Sequence, residues 1–256
     1  MSVSGINKIA IVGASGQMGS LFCKDFRNQG CLVAELNRPL TDDAISDALD
    51  DCDMLLLSVP VTSMDGVLDL MLPHLKPSTI LCDVGSVKML PMKSMLDRHD
   101  GPVVGTHPLF GPVLPEGFTP RVAIVPGRKT DEHAAKKISA LMESCGYACF
   151  NSTAEEHDKA MAVIQGLNFT STVAFLSVAR DVDSIENFVT PSFRRRLDSA
   201  RKMLTQDTEL FEVISEANPF LQETNRKFMS YLSLAAGGDL DLLADRTLWW
   251  WRNDSY

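Results

Sequence analysis

The sequence has little of what would mark a metal-binding, disulfide-bonded or nucleic-acid-binding protein. Its six cysteines include no CxxC pair, and most lie in apolar runs such as "TILCDVG", where a free thiol acts as a small hydrophobe. No cysteine and histidine cluster has the spacing of metal ligands, so we expect no metal site. The formal net charge of −9 has the wrong sign for a nucleic-acid partner.

Long apolar runs and a secretory leader are also lacking. No stretch approaches the roughly 18 to 20 uncharged apolar residues of a membrane span, which predicts no membrane partner. The N-terminus enters a strand-like run at once, without the basic and then apolar order of a leader, so we expect a cytoplasmic protein. A composition with 45% apolar and 22% charged residues is that of an ordinary globular protein with a buried core.

Short β-type runs alternate with helical stretches over the first 150 residues. Several runs are almost entirely apolar, as in "MLLLSVP", which is typical of parallel strands covered on both faces. The alternation predicts an α/β domain over residues 1–152, with a doubly wound, Rossmann-type and mostly parallel sheet. The predicted strands are Lys8–Val12, Cys31–Leu36, Met54–Ser58, Thr79–Val84, Val103–Gly105 and Arg121–Val125, with a last one in "GYACFN".

Residues 153–256 carry no comparable strand pattern and predict an all-helical second domain. Thr153 and Glu156 form a capping box that opens a long helix, and Thr190-Pro191 begins a second helix. A third helix is predicted from about Asp207 to Ala236. The final "LWWWRNDSY" brings together three tryptophans that one helix cannot bury, which indicates a partner surface.

The stretch "IAIVGASGQMGSLF" has the order strand, glycine-rich turn and helix start. Gly16 and Gly19 fill the last two positions of a GxGxxG fingerprint, and Ala14 stands at the first. Glycine at 16 would let a pyrophosphate approach the positive helix N-terminus, and glycine at 19 would let the helix pack on the strand. We therefore predict dinucleotide binding by this turn and by the "SVP" that follows the third strand, which gives Gly13, Ala14, Ser15, Gly16, Gln17, Met18, Gly19, Ser58, Val59 and Pro60.

The end of the second predicted strand bears on the choice of coenzyme. An acid here would bond the ribose of NAD, but this chain has Asn37 followed by Arg38. Arg38 would suit a 2′-phosphate, which tilts the prediction slightly towards NADP. Glu35 would still reach a ribose if the strand were shorter, so NAD and NADP both stay open.

Ser86 in "DVGSVK" and His107 in "GTHPLFGP" follow neighbouring predicted strands. Because strand ends at the carboxyl edge of an open α/β sheet carry the chemistry, we expect both side chains at the edge that holds the glycine turn. A stiff turn between Gly105 and Pro108 would then hold His107 in place. Lys88 is expected to be a solvated residue at a helix start.

Five motifs, "GASGQMG", "SVP", "DVGSVK", "GTHPLFGP" and "EEHDKAMAVIQGL", resemble in order and spacing the prephenate dehydrogenase family of tyrosine biosynthesis, as far as the region around Asp207. The resemblance implies NAD(P)-dependent oxidative decarboxylation of prephenate to 4-hydroxyphenylpyruvate, and from the length of 256 residues we expect a stand-alone dehydrogenase. It also implies a homodimer joined through a helical domain that binds substrate. In this chemistry a neutral His107 accepts a hydrogen bond from the substrate hydroxyl, and Ser86 fixes either the imidazole or that hydroxyl. For His157 we expect a structural role.

Cations for the two carboxylates of such a substrate are concentrated in "TPSFRRRLDSARKML", which supplies Arg194, Arg195, Arg196, Arg201 and Lys202. Helical geometry places Arg194 about 20° from Arg201, and Arg195 and Lys202 on the neighbouring face. The resemblance implies that the family's carboxylate-binding arginine falls on Lys202, beside Arg201. Either residue would hold the carboxylate, and a solvated basic face is the alternative.

A departure from the family pattern concerns the substrate itself. Many family members have a histidine twelve residues after the position of His157, where this chain has Phe169, preceded by Asn168. A phenylalanine cannot bond a carboxylate, so one polar contact is missing or is supplied by Asn168, and arogenate stays open as the substrate. Two other classes also stay open: a β-hydroxyacid or imine reductase, and a non-catalytic NAD(P)-binding sensor, which would tolerate loss of His107.

Overall fold

The structure, a computed structural model, describes residues 4–114, 116–205 and 208–252. Within these residues a seven-stranded sheet has the strand order β2-β1-β3-β4-β5-β6-β7. Its strands are β1 (Lys8–Val12), β2 (Leu32–Leu36), β3 (Met54–Leu57), β4 (Ile80–Asp83), β5 (Val103–Pro108), β6 (Arg121–Pro126) and β7 (Ala148–Asn151).

The sheet is mostly parallel, as predicted. Strands β1 to β5 pair in parallel, β6 runs antiparallel to β5, and β7 runs parallel to β6. Because the chain leaves β1 for β2 on one side and reaches β3 on the other, a crevice opens at the carboxyl ends of β1 and β3, where doubly wound folds bind nucleotides.

Successive side chains of a strand point to opposite faces, and both faces of this sheet are covered. In β1, Ile9 and Ile11 belong to one buried apolar cluster, whereas Ala10 and Val12 belong to another. This double burial explains why the strands have nearly continuous apolar sequences.

Eleven α-helices accompany the sheet in the described part of the chain. They are α1 (Gln17–Asn28), α2 (Asp42–Leu49), α3 (Met64–Met71), α4 (Met89–Arg98), α5 (Glu132–Ser144), α6 (Ala154–Met161), α7 (Asn168–Arg180), α8 (Pro191–Thr205), α9 (Thr208–Ala217), α10 (Leu221–Gly237) and α11 (Leu240–Thr247). No strand lies among the described residues after β7, which confirms the expected helical character of that region.

The predicted helix starts are confirmed by their hydrogen bonds. The Glu156 N–H donates to Thr153 Oγ1 and the Thr153 N–H donates to Glu156 Oε2, each over 3.1 Å, which is the reciprocal capping box. The Phe193 N–H donates to Thr190 Oγ1 (3.3 Å), and Pro191 is the first residue of α8.

The third predicted helix is wrong as a single element. Asp207, its predicted start, lies outside the described residues, and the helical run is interrupted between Ala217 and Leu221. Pro219 lies in that interval and has no N–H to continue the hydrogen-bond ladder. The run is therefore divided into α9 and α10.

The sequence predicted no segment long and apolar enough to span a membrane, but helix Ala154–Arg180 meets that description. It has 27 residues, with a π-helical stretch at Ala162–Leu167, and an 18-residue window of mean hydropathy 1.4. By length and composition alone this helix is apolar enough to cross a bilayer. Near its start, His157 and Asp158 are buried and hydrogen-bonded to each other.

By compactness the described chain divides into two units. The first comprises residues 4–161 with 212–218, and the second comprises the described residues of 162–211 and 219–252. The first unit therefore extends beyond residue 152 and includes α6. The division into two domains at Ser152 and Thr153 therefore stays a prediction.

Candidate active site

A cavity of about 400 Å³ lies at the carboxyl ends of β1 and β3 in the first unit. Eight of the twelve residues predicted to contact a dinucleotide line it, namely Gly13, Ser15, Gly16, Asn37, Arg38, Ser58, Val59 and Pro60. The other four, Ala14, Gln17, Met18 and Gly19, do not. Gly16 precedes α1, and no side chain caps the first turn of that helix, so its N–H groups are available to an anion.

Two glycines of the turn are required by close packing. Gly13 has a φ of +81°, and a Cβ there would lie 2.2 Å from the carbonyl oxygen of Ser58. A Cβ on Gly19 would lie 2.1 Å from the carbonyl oxygen of Gly13, so the start of α1 packs directly on the turn. The cradle thus fits a group that approaches the backbone, as a pyrophosphate does.

Asn37 ties the end of β2 to this turn. Its Oδ1 accepts a hydrogen bond from the Ser15 N–H (2.8 Å), a contact that sequence reasoning did not find. Glu35 binds Arg27 across 2.6 Å on the surface, and Arg38 is exposed at the cavity. Among the described residues that line the cavity, none is acidic.

The structure corrects the predicted location of His107. It lies in strand β5 and not in a turn, because β5 continues to Pro108. The pairing of β5 with β4 stops at Gly105, but the antiparallel pairing with β6 continues and places His107 opposite Ala123. β6 therefore holds the histidine rigidly beyond the carboxyl end of β4, where a glycine and a proline had indicated the end of a strand.

His107 is the first member of a chain of three buried side chains. Its Nδ1 is 2.8 Å from His157 Nε2, and His157 Nδ1 is 2.8 Å from Asp158 Oδ1. The two imidazoles meet at 69° with ring centroids 5.0 Å apart. His107 Nε2 makes no hydrogen bond to any residue that the structure describes. The expected structural role of His157 is therefore a specific one: it holds the His107 ring.

Helix α4 anchors Asp158 at the inner end of this chain. The Lys88 N–H donates to Oδ1 (2.7 Å) and the Met89 N–H donates to Oδ2 (2.8 Å), so the carboxylate occupies the positive N-terminus of the helix. Asn218 Nδ2 donates to the Asp158 carbonyl oxygen (2.8 Å). The side chain of Asp158 is fully buried and held from several directions.

The prediction that Lys88 is solvated is wrong. Its side chain is completely buried, and its Nζ donates to Asp83 Oδ2 over 2.5 Å. The stem crosses β5 at Gly105, where a Cβ would lie 2.9 Å from Lys88 Cδ. Gly105 is thus needed to admit the lysine. Burial raises the pKa of the Asp83 carboxyl, while the Lys88 ammonium acts in the opposite direction.

Burial also sets the state of His107. Removal from water lowers the pKa of this imidazole well below its ordinary value of 6.5, and His157 and Lys88 act in the same direction. The ring is therefore neutral at physiological pH, and a neutral imidazole has one nitrogen lone pair to accept a hydrogen bond.

Ser86 lies half-buried after β4. The imidazole is held by His157 on its Nδ1 side, which is the contact that sequence reasoning had offered to Ser86. The alternative, in which Ser86 contacts the substrate hydroxyl, stays a prediction.

The remaining predicted site residues belong to the second unit. Asn168 on α7 and Arg201 and Lys202 on α8 are all exposed. Phe169 stacks on Phe211 with ring centroids 4.4 Å apart and planes 8° from parallel. In the basic run, the Arg196 guanidinium lies 3.5 Å from the centroid of the Phe175 ring.

These features define a Rossmann-type nucleotide-binding protein with a buried histidine at the carboxyl edge of its sheet. Residues 15–150 match the family model described as prephenate dehydrogenase, nucleotide-binding domain. The chain belongs to the prephenate dehydrogenase family.

Curated relatives agree with this assignment, and solved structures share the fold. The chain is 31% identical to the T-protein of Enterobacter agglomerans over 91% of its length and 30% identical to that of Haemophilus influenzae over 81%. It spans only 64% and 55% of those relatives' own lengths. The crystal structure of prephenate dehydrogenase from A. aeolicus in complex with hydroxyphenyl propionate and NAD+ has the same fold, with a TM-score of 0.76, 18% identity and 95% of each chain covered. Synechocystis arogenate dehydrogenase gives a TM-score of 0.67 at 20% identity, with 94% of this chain and 97% of that chain covered.

Proposed function

We propose that this chain catalyses the NAD(P)-dependent oxidative decarboxylation of prephenate to 4-hydroxyphenylpyruvate in tyrosine biosynthesis. The observation that carries the proposal is His107: a buried imidazole with a lowered pKa, fixed through Nδ1 and without a described partner on Nε2. Such a group suits a hydroxyl that must lose its proton as its carbon becomes a carbonyl.

The residues of the nucleotide cavity fit a nicotinamide dinucleotide. The first turn of α1 would bind the pyrophosphate, and the glycine contacts leave room for it at the backbone. A bound nicotinamide coenzyme supplies the acceptor for the hydride that leaves the substrate carbon. The task of the chain is then to hold the substrate hydroxyl against His107 Nε2 and to take up its proton there, with Ser86 as a further hydroxyl contact.

The substrate carboxylates require cations, which an acidic chain must supply locally. Arg201 and Lys202 are the candidates on α8, because the family's carboxylate-binding arginine aligns with Lys202, beside Arg201; Arg196 is engaged by the Phe175 ring. Lysine at 202 would bind as a point charge without the two-pronged geometry of arginine. Asn168 would add a neutral polar contact.

Arogenate is the second candidate substrate, and Phe169 is the residue that supports it. Phe169 stacks on Phe211 and offers no hydrogen bond, so one polar contact that many family members possess is replaced by an apolar pair. A substrate with an amino-acid side chain places different demands on this position than one with a keto acid.

NADP is favoured slightly over NAD as coenzyme. Glu35 is engaged by Arg27, no described residue lining the cavity is acidic, and Arg38 is exposed there to meet a 2′-phosphate. An Arg38→Ala change should raise the KM for NADP+ by about tenfold and leave that for NAD+ nearly unchanged. Equal effects on both coenzymes would contradict this preference.

We further propose that the chain works as a cytoplasmic homodimer joined through its helical region. The exposed apolar side chains of α10 and the tryptophans after α11 are the surface that a second copy would cover.

One assay tests the proposed activity against its alternatives. The purified chain is incubated with prephenate, arogenate or a β-hydroxyacid and NAD+ or NADP+, or with an imine and reduced coenzyme, and the reduced coenzyme is followed by absorbance. We expect turnover with at least one of the two substrates. Activity only with β-hydroxyacids or imines would favour the reductase class, and coenzyme binding without any turnover would favour a sensor.

A further inference from the structure

The three buried side chains His107, His157 and Asp158 determine each other's hydrogen positions. Asp158 is surrounded by donors, since the N–H groups of Lys88 and Met89 both point at its carboxylate. It is therefore an acceptor towards His157, and His157 Nδ1 must carry the hydrogen of that 2.8 Å bond.

When both imidazole rings are neutral, the position of the hydrogen on His157 determines its position on His107. A neutral His157 with its hydrogen on Nδ1 has a lone pair on Nε2. The 2.8 Å bond to His107 then requires the hydrogen on His107 Nδ1. The lone pair of His107 is left on Nε2, the nitrogen that has no partner among the described residues.

We propose that His157 and Asp158 are positioning residues that hold His107 in the Nδ1–H tautomer, so that its Nε2 accepts the substrate hydroxyl. This inference rests on the proposed function, which it deepens. The opposite tautomer would present an N–H to the substrate and could not accept its hydrogen bond. The N-terminus of α4 thus fixes Asp158, Asp158 fixes His157, and His157 fixes the ring of His107. His107 Nε2 is then the nitrogen left to accept the substrate hydroxyl.

The same arrangement favours the step in which His107 takes up the proton. The hydroxyl proton moves to Nε2, its oxygen–hydrogen bond breaks as the new nitrogen–hydrogen bond forms, and His107 becomes an imidazolium. Its Nδ1–H already donates to His157 Nε2, and that bond strengthens when the donor becomes charged. No further proton transfer is needed.

Two variants of His157 separate positioning from packing. His157→Gln offers an amide oxygen that can accept from His107 Nδ1, whereas His157→Phe preserves the ring volume and offers no acceptor. We expect kcat of the Gln variant to stay within about tenfold of the wild type and kcat of the Phe variant to fall about 100-fold. Melting temperature and coenzyme affinity serve as controls. A kcat of the His157→Phe variant equal to or above that of the His157→Gln variant would overturn the proposal.

A direct reading comes from the imidazole nitrogen chemical shifts of ¹⁵N-histidine-labelled full-length protein, which has only five histidines to assign. We expect the wild-type His107 spectrum to show a protonated Nδ1 and an unprotonated Nε2. A protonated Nε2 in the wild type would overturn the proposal even if the Phe variant failed to fold. If the tautomer is as expected but neither prephenate nor arogenate is turned over, the proposed function fails and the positioning stands.

Discussion

The two compact units of the molecule differ in how they treat their apolar and polar side chains. The first covers both faces of its sheet and buries even Lys88, Asp83 and Asp158, each with a partner. The second leaves many of its large apolar side chains exposed, among them Met229 and Leu232. The first unit also leaves some apolar side chains exposed, such as Leu32 and Val113, but its sheet is covered on both faces and its interior orients a histidine. The second presents an exposed apolar surface, which is the one assigned to a second copy of the chain in the proposed homodimer.

The largest effect on stability should come from breaking the buried ion pair of the first unit. Lys88→Met leaves the Asp83 carboxylate buried without its cation, and Asp83 Oδ1 already lacks a described partner. We expect the free energy of unfolding to fall by about 3–5 kcal/mol in urea denaturation. An Asp83→Asn/Lys88→Met double variant should recover part of that loss. A single variant as stable as the wild type would contradict the importance of the pair.

A smaller effect is expected on assembly when the second unit is altered. Replacing Met229 and Leu232 by glutamate places two charges on the exposed face of α10, and we expect the dimer dissociation constant to rise about 100-fold in sedimentation equilibrium. Leu32→Glu, on the edge strand of the first unit, is the matched control, since Leu32 is 71% exposed. A wild type that is monomeric at micromolar concentration, or a control that dissociates equally, would contradict the proposed interface.

The smallest of these effects is the dependence of stability on pH. His107 has a lowered pKa in the folded chain, so below pH 6.5 the unfolded chain binds a proton that the folded chain does not. The free energy of unfolding should therefore decrease as pH falls from 6.5 towards the lowered pKa, by up to about 1.4 kcal/mol per pH unit.

The comparison with His107→Asn isolates this contribution from those of the neighbouring His157, Lys88, Asp83 and Asp158. The two stability curves should run parallel above neutral pH, and the wild type should lose stability faster below it. Curves that remain parallel down to pH 5 would contradict the lowered pKa.

The sequence was most informative where local pattern and tertiary environment agree. Strand β1 has the predicted bounds, because an apolar run followed by a glycine turn is specified locally. The capping box at Thr153 and the start of α8 at Pro191 were predicted for the same reason. The glycine turn, the end of the second strand and the "SVP" segment together supplied eight of the residues that line the cavity.

The errors arose where distant parts of the chain decide. His107 remains in a strand because β6 pairs with it, and Lys88 is buried where its stem packs against β5 at Gly105. The contact between His107 and His157 joins residues 50 positions apart. A helical pattern does not show that a histidine one turn into a helix will meet a strand. The break of the third helix had a local signal in Pro219, which the prediction did not use.

The measurement that tests the account most directly compares turnover in the His107→Asn variant with that of the wild type, using the substrate and coenzyme that the wild type prefers. His133→Asn on α5 is the matched control, because that histidine is exposed. We predict that kcat falls at least about 100-fold for His107→Asn, that coenzyme affinity is retained, and that the control is as active as the wild type. Near-normal turnover by His107→Asn would contradict the central role of this imidazole.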